Sequence, residues 1–174
     1  MADVMKTRTR ERGPSEMNDY ERTLKFLTDW RERAFKKQVV IRNEDVEWEQ
    51  SRQGRLKFFI NRETDDKAVG VLRDWNVFLH DIKTHSGAHR HQGGLVIYVV
   101  EGEGFTEVDG VKQEWEAGDV VLLPLKPDGC VHKHFNKRPG QPAVWMAWIY
   151  SPMMDELGKW VEQKELSPDF KQKG

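Results

Sequence analysis

The sequence predicts an all-β domain, an antiparallel sandwich or barrel with one helix at each end. Two observations carry that prediction. Short runs of β-branched and aromatic residues recur between residues 39 and 150, and turn-forming pairs separate them at near-regular intervals. A length of 174 residues, with seven Trp, eight Phe and three Tyr to fill an interior, suits one core rather than two.

Residues 1–14 are polar, strongly charged and end in Gly13-Pro14, which predicts a disordered arm. Residues 15–38 read as an N-terminal helix: Met17, Tyr20, Leu24, Leu27 and Trp30 recur every three or four positions and share one face. Ser15 is placed to cap its start. The barrel is expected over 39–150, with strands at 39–41, 56–60, 77–82, 95–100, 105–108, 111–115, 120–123, 130–135 and 143–150. Asp109-Gly110 between two such runs signals a tight hairpin, because both central residues tolerate positive φ. Residues 151–174 are expected to form a short helix after Pro152, carrying Met154, Leu157, Trp160 or Val161, and Lys164, and then a frayed tail.

Composition narrows the function class. The 28 basic and 29 acidic residues balance, so no electrostatic footprint for nucleic acid or an anionic membrane is expected. The longest apolar run, residues 95–100, is far short of the roughly 20 residues that span a bilayer. The N-terminus has no apolar core of a secretory signal, and the single cysteine, Cys130, fits a reducing compartment. A cytoplasmic protein is expected. The amphipathic helix and the apolar strands point to a homodimer.

The candidate chemistry lies in two stretches, GAHRHQGGLVIYVVEGEG at 87–104 and GCVHKHFN at 129–136. Residues i and i+2 of a strand face the same side, so His89 and His91 project together, roughly 7 Å apart along the strand. Cys130, His132, His134 and Asn136 share one parity in the second stretch, so an inward-facing strand delivers one or two more histidines to the same cavity. Imidazole suits Fe, Mn, Ni, Zn or Cu, so the pattern alone does not choose the metal.

These residues resemble the cupin family. Its first motif is matched by His89-Arg90-His91 and by the turn Glu101-Gly102-Glu103-Gly104. The second is matched by Gly118, Pro124, Pro127-Asp128-Gly129, His132 and Asn136, with a short insertion between the prolines. The resemblance implies a double-stranded β-helix, a jelly-roll-like barrel, with His89, His91 and His132 as ligands of a divalent metal. One departure matters. The family's glutamate should fall near Gly94 or Leu95, neither of which can ligate through its side chain. Three-histidine cupins include ferrous dioxygenases, and this segment is most similar to the gentisate and salicylate ring-cleaving type, although those enzymes usually carry two cupin domains.

The resemblance therefore implies an Fe(II) dioxygenase acting with O₂ on a small aromatic or oxygenated organic acid. The alternatives are a redox-neutral isomerase or lyase on the same site, and a non-enzymatic ligand-binding barrel. His134 and Gln92 are the candidate catalytic groups, as hydrogen-bond partners of substrate or bound oxygen, and His134 could also be a fourth ligand. Trp75, Phe78, Tyr98, Trp145 and Trp148 are candidate pocket walls. Arg90 and Lys133 alternate away from the ligand face. His80, His85 and Cys130 read as packing or loop residues.

Overall fold

The computed structural model describes residues 17–36, 39–62, 72 and 74–171. The expected arm at 1–14, the Ser15 cap and the last residues of the tail lie outside them. Helix α1 (Asp19–Lys36) starts from a capping box. Asn18 Oδ1 accepts the Glu21 N–H at 2.9 Å, and Glu21 Oε2 accepts the Asn18 N–H at 3.1 Å. No residue of α1 is buried, so its apolar face does not pack on the barrel.

A 3-10 turn (Asn43–Asp45) follows, and the strand expected at 39–41 does not form. Val39 and Val40 are 82% and 61% exposed, and among the described residues no strand pairs with them. The first strand is instead β1 (Glu49–Gln50), and nine more follow it through the barrel. They are β2 (Arg55–Ile60), β3 (Trp75–Asp81), β4 (His89–His91), β5 (Leu95–Glu101) and β6 (Glu103–Val108). After them come β7 (Val111–Glu116), β8 (Val120–Leu123), β9 (Cys130–Asn136) and β10 (Val144–Tyr150). Helix α2 (Ser151–Glu156) and strand β11 (Glu162–Gln163) complete the described elements.

The expected C-terminal helix is therefore shorter than its apolar spacing suggests. It stops at Glu156, and Gly158 takes φ +66, the left-handed conformation that ends helices. The chain then runs extended and pairs Glu162 with Arg90 and Gln163 with His89.

Two antiparallel sheets pack face to face, in the orders β1-β2-β3-β10-β5-β8 and β11-β4-β9-β6-β7. This is the jelly-roll barrel, and period-two alternation decides what enters it. In β5, Leu95, Ile97 and Val99 are buried while Val96, Tyr98 and Val100 face out. Leu56, Phe78, Ile97, Trp115, Leu123 and Trp145 dominate the core between the sheets. Among the described residues no helix is long and apolar enough to cross a membrane.

Candidate metal centre

Strands β4 and β9 lie side by side with His89 opposite His132 and His91 opposite Cys130. The i, i+2 parity turns His89, His91, His132 and His134 inward, and all four are buried. Ring centroids are 4.2 Å apart for His89 and His132, 4.7 Å for His91 and His132, and 5.3 Å for His89 and His91. One ligand atom from each of these three histidines falls within 4.8 Å of the others.

The rings are kept neutral by their surroundings. Burial, reinforced by the neighbouring imidazoles, holds His132 well below the ordinary histidine value. Burial also lowers His89, and together with the charges of His89 and Lys159 it brings His91 to about 3. A neutral imidazole is the form that ligates a metal, so the cluster is in its binding form at neutral pH.

Hydrogen bonds orient two of the rings for that role. His89 Nδ1 meets the Gly87 carbonyl at 3.1 Å, and His132 Nδ1 meets the Cys130 carbonyl at 3.2 Å. A carbonyl accepts only, so both protons sit on Nδ1 and both Nε2 lone pairs are free. His132 Nε2 is buried without a hydrogen-bond partner, the kind of orphan that a bound ion satisfies. His91 differs, because its Nδ1 accepts the Gly93 N–H at 3.0 Å. Coordination through His91 Nε2 would put the proton on Nδ1 and break that bond. The donor set of three imidazoles without a carboxylate fits a divalent transition ion.

The histidines line a cavity of about 260 Å³ that is shared with Phe78, Leu95, Trp145 and Ile149 from the facing sheet. An apolar cavity of about 150 Å³ already holds benzene, so this space suits one substituted ring. A more open depression of about 400 Å³ lies among the β5–β6, β7–β8 and β9–β10 connections. It is lined by Glu101, Glu103 and Glu116 without any histidine, so it is not where this chemistry belongs.

His134 lies beyond the cluster, fully buried against Trp145 at a centroid distance of 4.8 Å. Trp115 Nε1 donates to Thr106 Oγ1 at 2.9 Å, and Thr106 Oγ1 lies 2.8 Å from His134 Nδ1. An indole N–H only donates, so the hydroxyl accepts it and has its own hydrogen for His134 Nδ1. When that hydrogen goes to Nδ1, the His134 proton lies on Nε2 and that atom is a donor rather than a metal ligand.

Gln92 is completely buried but does not line the cavity. Its Nε2 donates to the carbonyls of Leu157 at 3.3 Å and Gly158 at 3.1 Å, and its Oε1 accepts the Trp160 N–H at 3.4 Å. Among the candidate aromatic walls, Phe78 and Trp145 line the cavity, while Trp75, Tyr98 and Trp148 do not. Tyr98 sits on the outward parity of β5 and is 43% exposed.

His80, which reads from sequence as a packing residue, lines the cavity. Its Nε2 is buried without a hydrogen-bond partner, and burial followed by the charge of His89 brings it to about 3. A side chain at Gly54 would collide with that nitrogen. The only signal is its inward parity with Phe78 in NVFLHD, which needs the strand phase to be known. His85 bridges to Phe135 outside the cavity. The Cys130 thiol lies 3.9 Å from His132 Nδ1, and burial raises its pKa.

Residues 79–150 match the family model described as the cupin domain. A gentisate 1,2-dioxygenase from Ralstonia sp. is 37% identical over 68 residues, 38% of this chain and 18% of that protein. A 5-aminosalicylate 1,2-dioxygenase from Comamonas sp. is 32% identical over 87 residues, 49% of this chain and 22% of that protein. The chain thus spans about a fifth of the length of the curated relatives it matches. Among solved structures, a mutant salicylate 1,2-dioxygenase from Pseudoaminobacter salicylatoxidans, in complex with gentisate, superposes with a TM-score of 0.52. Its identity is 20%, over 86% of this chain and 39% of that one. A cupin-like protein from Thermotoga maritima gives a TM-score of 0.50 at 21% identity, over 70% of this chain and 90% of that one. At these identities the superpositions speak for the fold.

Proposed function

We propose that the protein is an Fe(II)-dependent dioxygenase that cleaves a small aromatic or oxygenated organic acid, built around the residues 79–150 that match the cupin domain model. The observation that carries this reading is the set of three buried, neutral imidazoles with an orphaned His132 Nε2 inside a cavity walled by Phe78 and Trp145. The gentisate 1,2-dioxygenase and 5-aminosalicylate 1,2-dioxygenase matched above support it, since both are dioxygenases by name, and each aligns with less than half of this chain.

In this reading His89, His91 and His132 hold the ion. Ferrous iron held there by three neutral ligands would keep its full charge and would supply redox chemistry with O₂. Phe78, Leu95, Trp145 and Ile149 exclude water and hold a ring in place. His134 lines the same cavity and donates its Nε2 proton in a hydrogen bond to a substrate oxygen, steadying charge that develops there.

The test is anaerobic loading with Fe(II), followed by O₂ uptake across a panel of phenolic and keto acids that includes gentisate and 5-aminosalicylate. Uptake is expected with iron but not with zinc, and it should disappear in His132→Ala together with the bound metal. If no acid draws O₂ and iron is not preferred over zinc, the dioxygenase reading is overturned in favour of a redox-neutral enzyme or a ligand-binding barrel. Full metal occupancy in His132→Ala would overturn the ligand assignment.

The protein is further proposed to work as a homodimer. On the outer face, Val96 pairs with Leu122 and Tyr98 with Val120, and these four side chains are 43–68% exposed. Helix α1 adds Tyr20, Leu24, Phe26 and Leu27, all exposed. Contiguous apolar surface of more than a few hundred Å² is unusual on a monomer, and a standard interface needs roughly 800 Å² per partner. A second copy offering the same surfaces would cover these side chains. Light scattering should give twice 20.4 kDa, falling to one chain in Val96→Lys/Leu122→Glu.

A further inference from the structure

The cavity holds a buried donor that the histidine cluster does not explain. Among the described residues of its lining, three side-chain atoms are buried without a hydrogen-bond partner: His132 Nε2, His80 Nε2 and Trp145 Nε1. A bound ion satisfies the first, and the second is packed against Gly54. Trp145 Nε1 has neither explanation. An indole N–H can only donate, so it calls for an acceptor, and leaving a buried donor without one is costly.

Trp115 shows the ordinary arrangement. It is the other buried tryptophan among the described residues, and its Nε1 donates to Thr106 Oγ1 at 2.9 Å. Around Trp145 the ring neighbours are Phe78, His80 and His134, at centroid distances of 5.8, 4.8 and 4.8 Å. None of them accepts a hydrogen bond from the indole, and a ring face is a weak substitute for an oxygen. The indole is also held in place. Trp145 lies on β10 in the middle of the six-stranded sheet, opposite His80 on β3 and Val99 on β5. A side chain packed in this way has little ordering entropy left to lose when it meets a ligand. Its sheet faces the one that carries His89, His91 and His132.

We propose that Trp145 is a specificity-determining residue, whose indole N–H donates to an acceptor oxygen of the substrate acid and so selects a ring carrying that oxygen over one carrying an apolar group of the same shape. This rests on the reading of the cavity as a substrate site, and it does not need the metal to be iron. A carboxylate or carbonyl oxygen is the fitting group, because it accepts without bringing a hydrogen that needs a partner of its own. The ring then lies between the two sheets, with the histidine cluster on one side and the indole on the other. An apolar analogue leaves the N–H unmet, and a site built to hydrogen-bond its substrate rejects the analogue that lacks the group.

The experiment uses the full chain loaded with zinc, which is diamagnetic and supports no redox turnover. The probes are 2-hydroxybenzoate and 2-isopropylphenol, in which an isopropyl group of similar shape replaces the carboxylate. In a ¹H–¹⁵N spectrum of the wild type, the Trp145 indole resonance should move downfield with the acid and not with the alkyl phenol. That measurement needs no variant to fold. In calorimetry, Trp145→Phe should lower the acid-to-alkyl affinity ratio by about 10- to 100-fold, whereas a merely structural role lowers both affinities together and leaves the ratio unchanged. Trp75→Phe, outside the cavity lining, should leave the ratio as in the wild type. Failure of the dioxygenase reading shows separately, as absent O₂ uptake with iron, and a Trp145 shift in the zinc-loaded protein stands regardless of it. An unmoved Trp145 resonance with the acid bound, an equal shift with both compounds, an unchanged ratio in Trp145→Phe, or no binding of either compound to the wild type overturns the inference.

Discussion

Thr106 shows how much a single hydroxyl can decide. It is buried between Trp115 Nε1 and His134 Nδ1, so replacing it with valine keeps the shape and strands both partners. Each stranded buried group costs about 1–3 kcal/mol. Thr106→Val should therefore lower unfolding stability in urea by about 2–6 kcal/mol. Its ¹⁵N spectrum should show His134 losing its Nε2–H preference, while Thr106→Ser retains both. A His134 tautomer unchanged in Thr106→Val would sink the relay. None of this is legible in FTEV, because a threonine in a strand reads the same whether or not its hydroxyl works. His89, His91 and His132 are legible because two i, i+2 pairs in one chain constrain each other. The candidate walls Trp75, Tyr98 and Trp148 miss the cavity for a related reason: which of two faces a strand turns inward is settled only by its neighbours.

Among elements, strands with strong alternation and bounding glycines are foreseen almost to the residue, as with β5, β8 and β9. The failures occur where pairing outweighs local preference. Residues 39–41 are β-branched but find no partner among the described residues, whereas Glu49 and Gln50 form β1 solely by pairing with Leu56 and Arg55. At the other end, the apolar spacing from Met154 to Lys164 suggests a continuous helix. Gly158 stops it, and that glycine is the signal the spacing argument passes over. The consequence reaches the cavity, since ending α2 there lets Lys159 and Val161 line it. Packing between elements is equally exacting at Gly104 in β6. A Cβ there would collide with the Phe135 carbonyl and the Trp115 ring. Gly104→Ala should cost about 1–3 kcal/mol by overpacking and shift the Trp115 fluorescence, and an unperturbed thermal melt would show that the β6–β9 contact is looser than described.

At the scale of the whole molecule, one cavity between two sheets gathers five buried histidines, His80, His89, His91, His132 and His134, and this ties stability to pH. His80 and His91 titrate near 3 in the folded protein and near 6.5 when unfolded, with burial as the leading cause in both. Between those values the unfolded chain binds more protons than the folded one, so stability rises with pH across that window. Acidifying the metal-free protein should cost little down to about pH 6.5, then about 1.4 kcal/mol per pH unit for each such ring until about pH 3. Urea midpoints at pH 7.5, 6.0 and 5.0 measure this, and His80→Leu should be shallower than wild type by the slope of one ring. Metal sharpens the dependence, because an ion held by His89, His91 and His132 competes with protons for the same lone pairs. A loaded protein should hold its midpoint to lower pH than the metal-free one and then lose metal and stability together. A flat profile from pH 7.5 to 5.0 in the metal-free protein would mean that the histidines reach water.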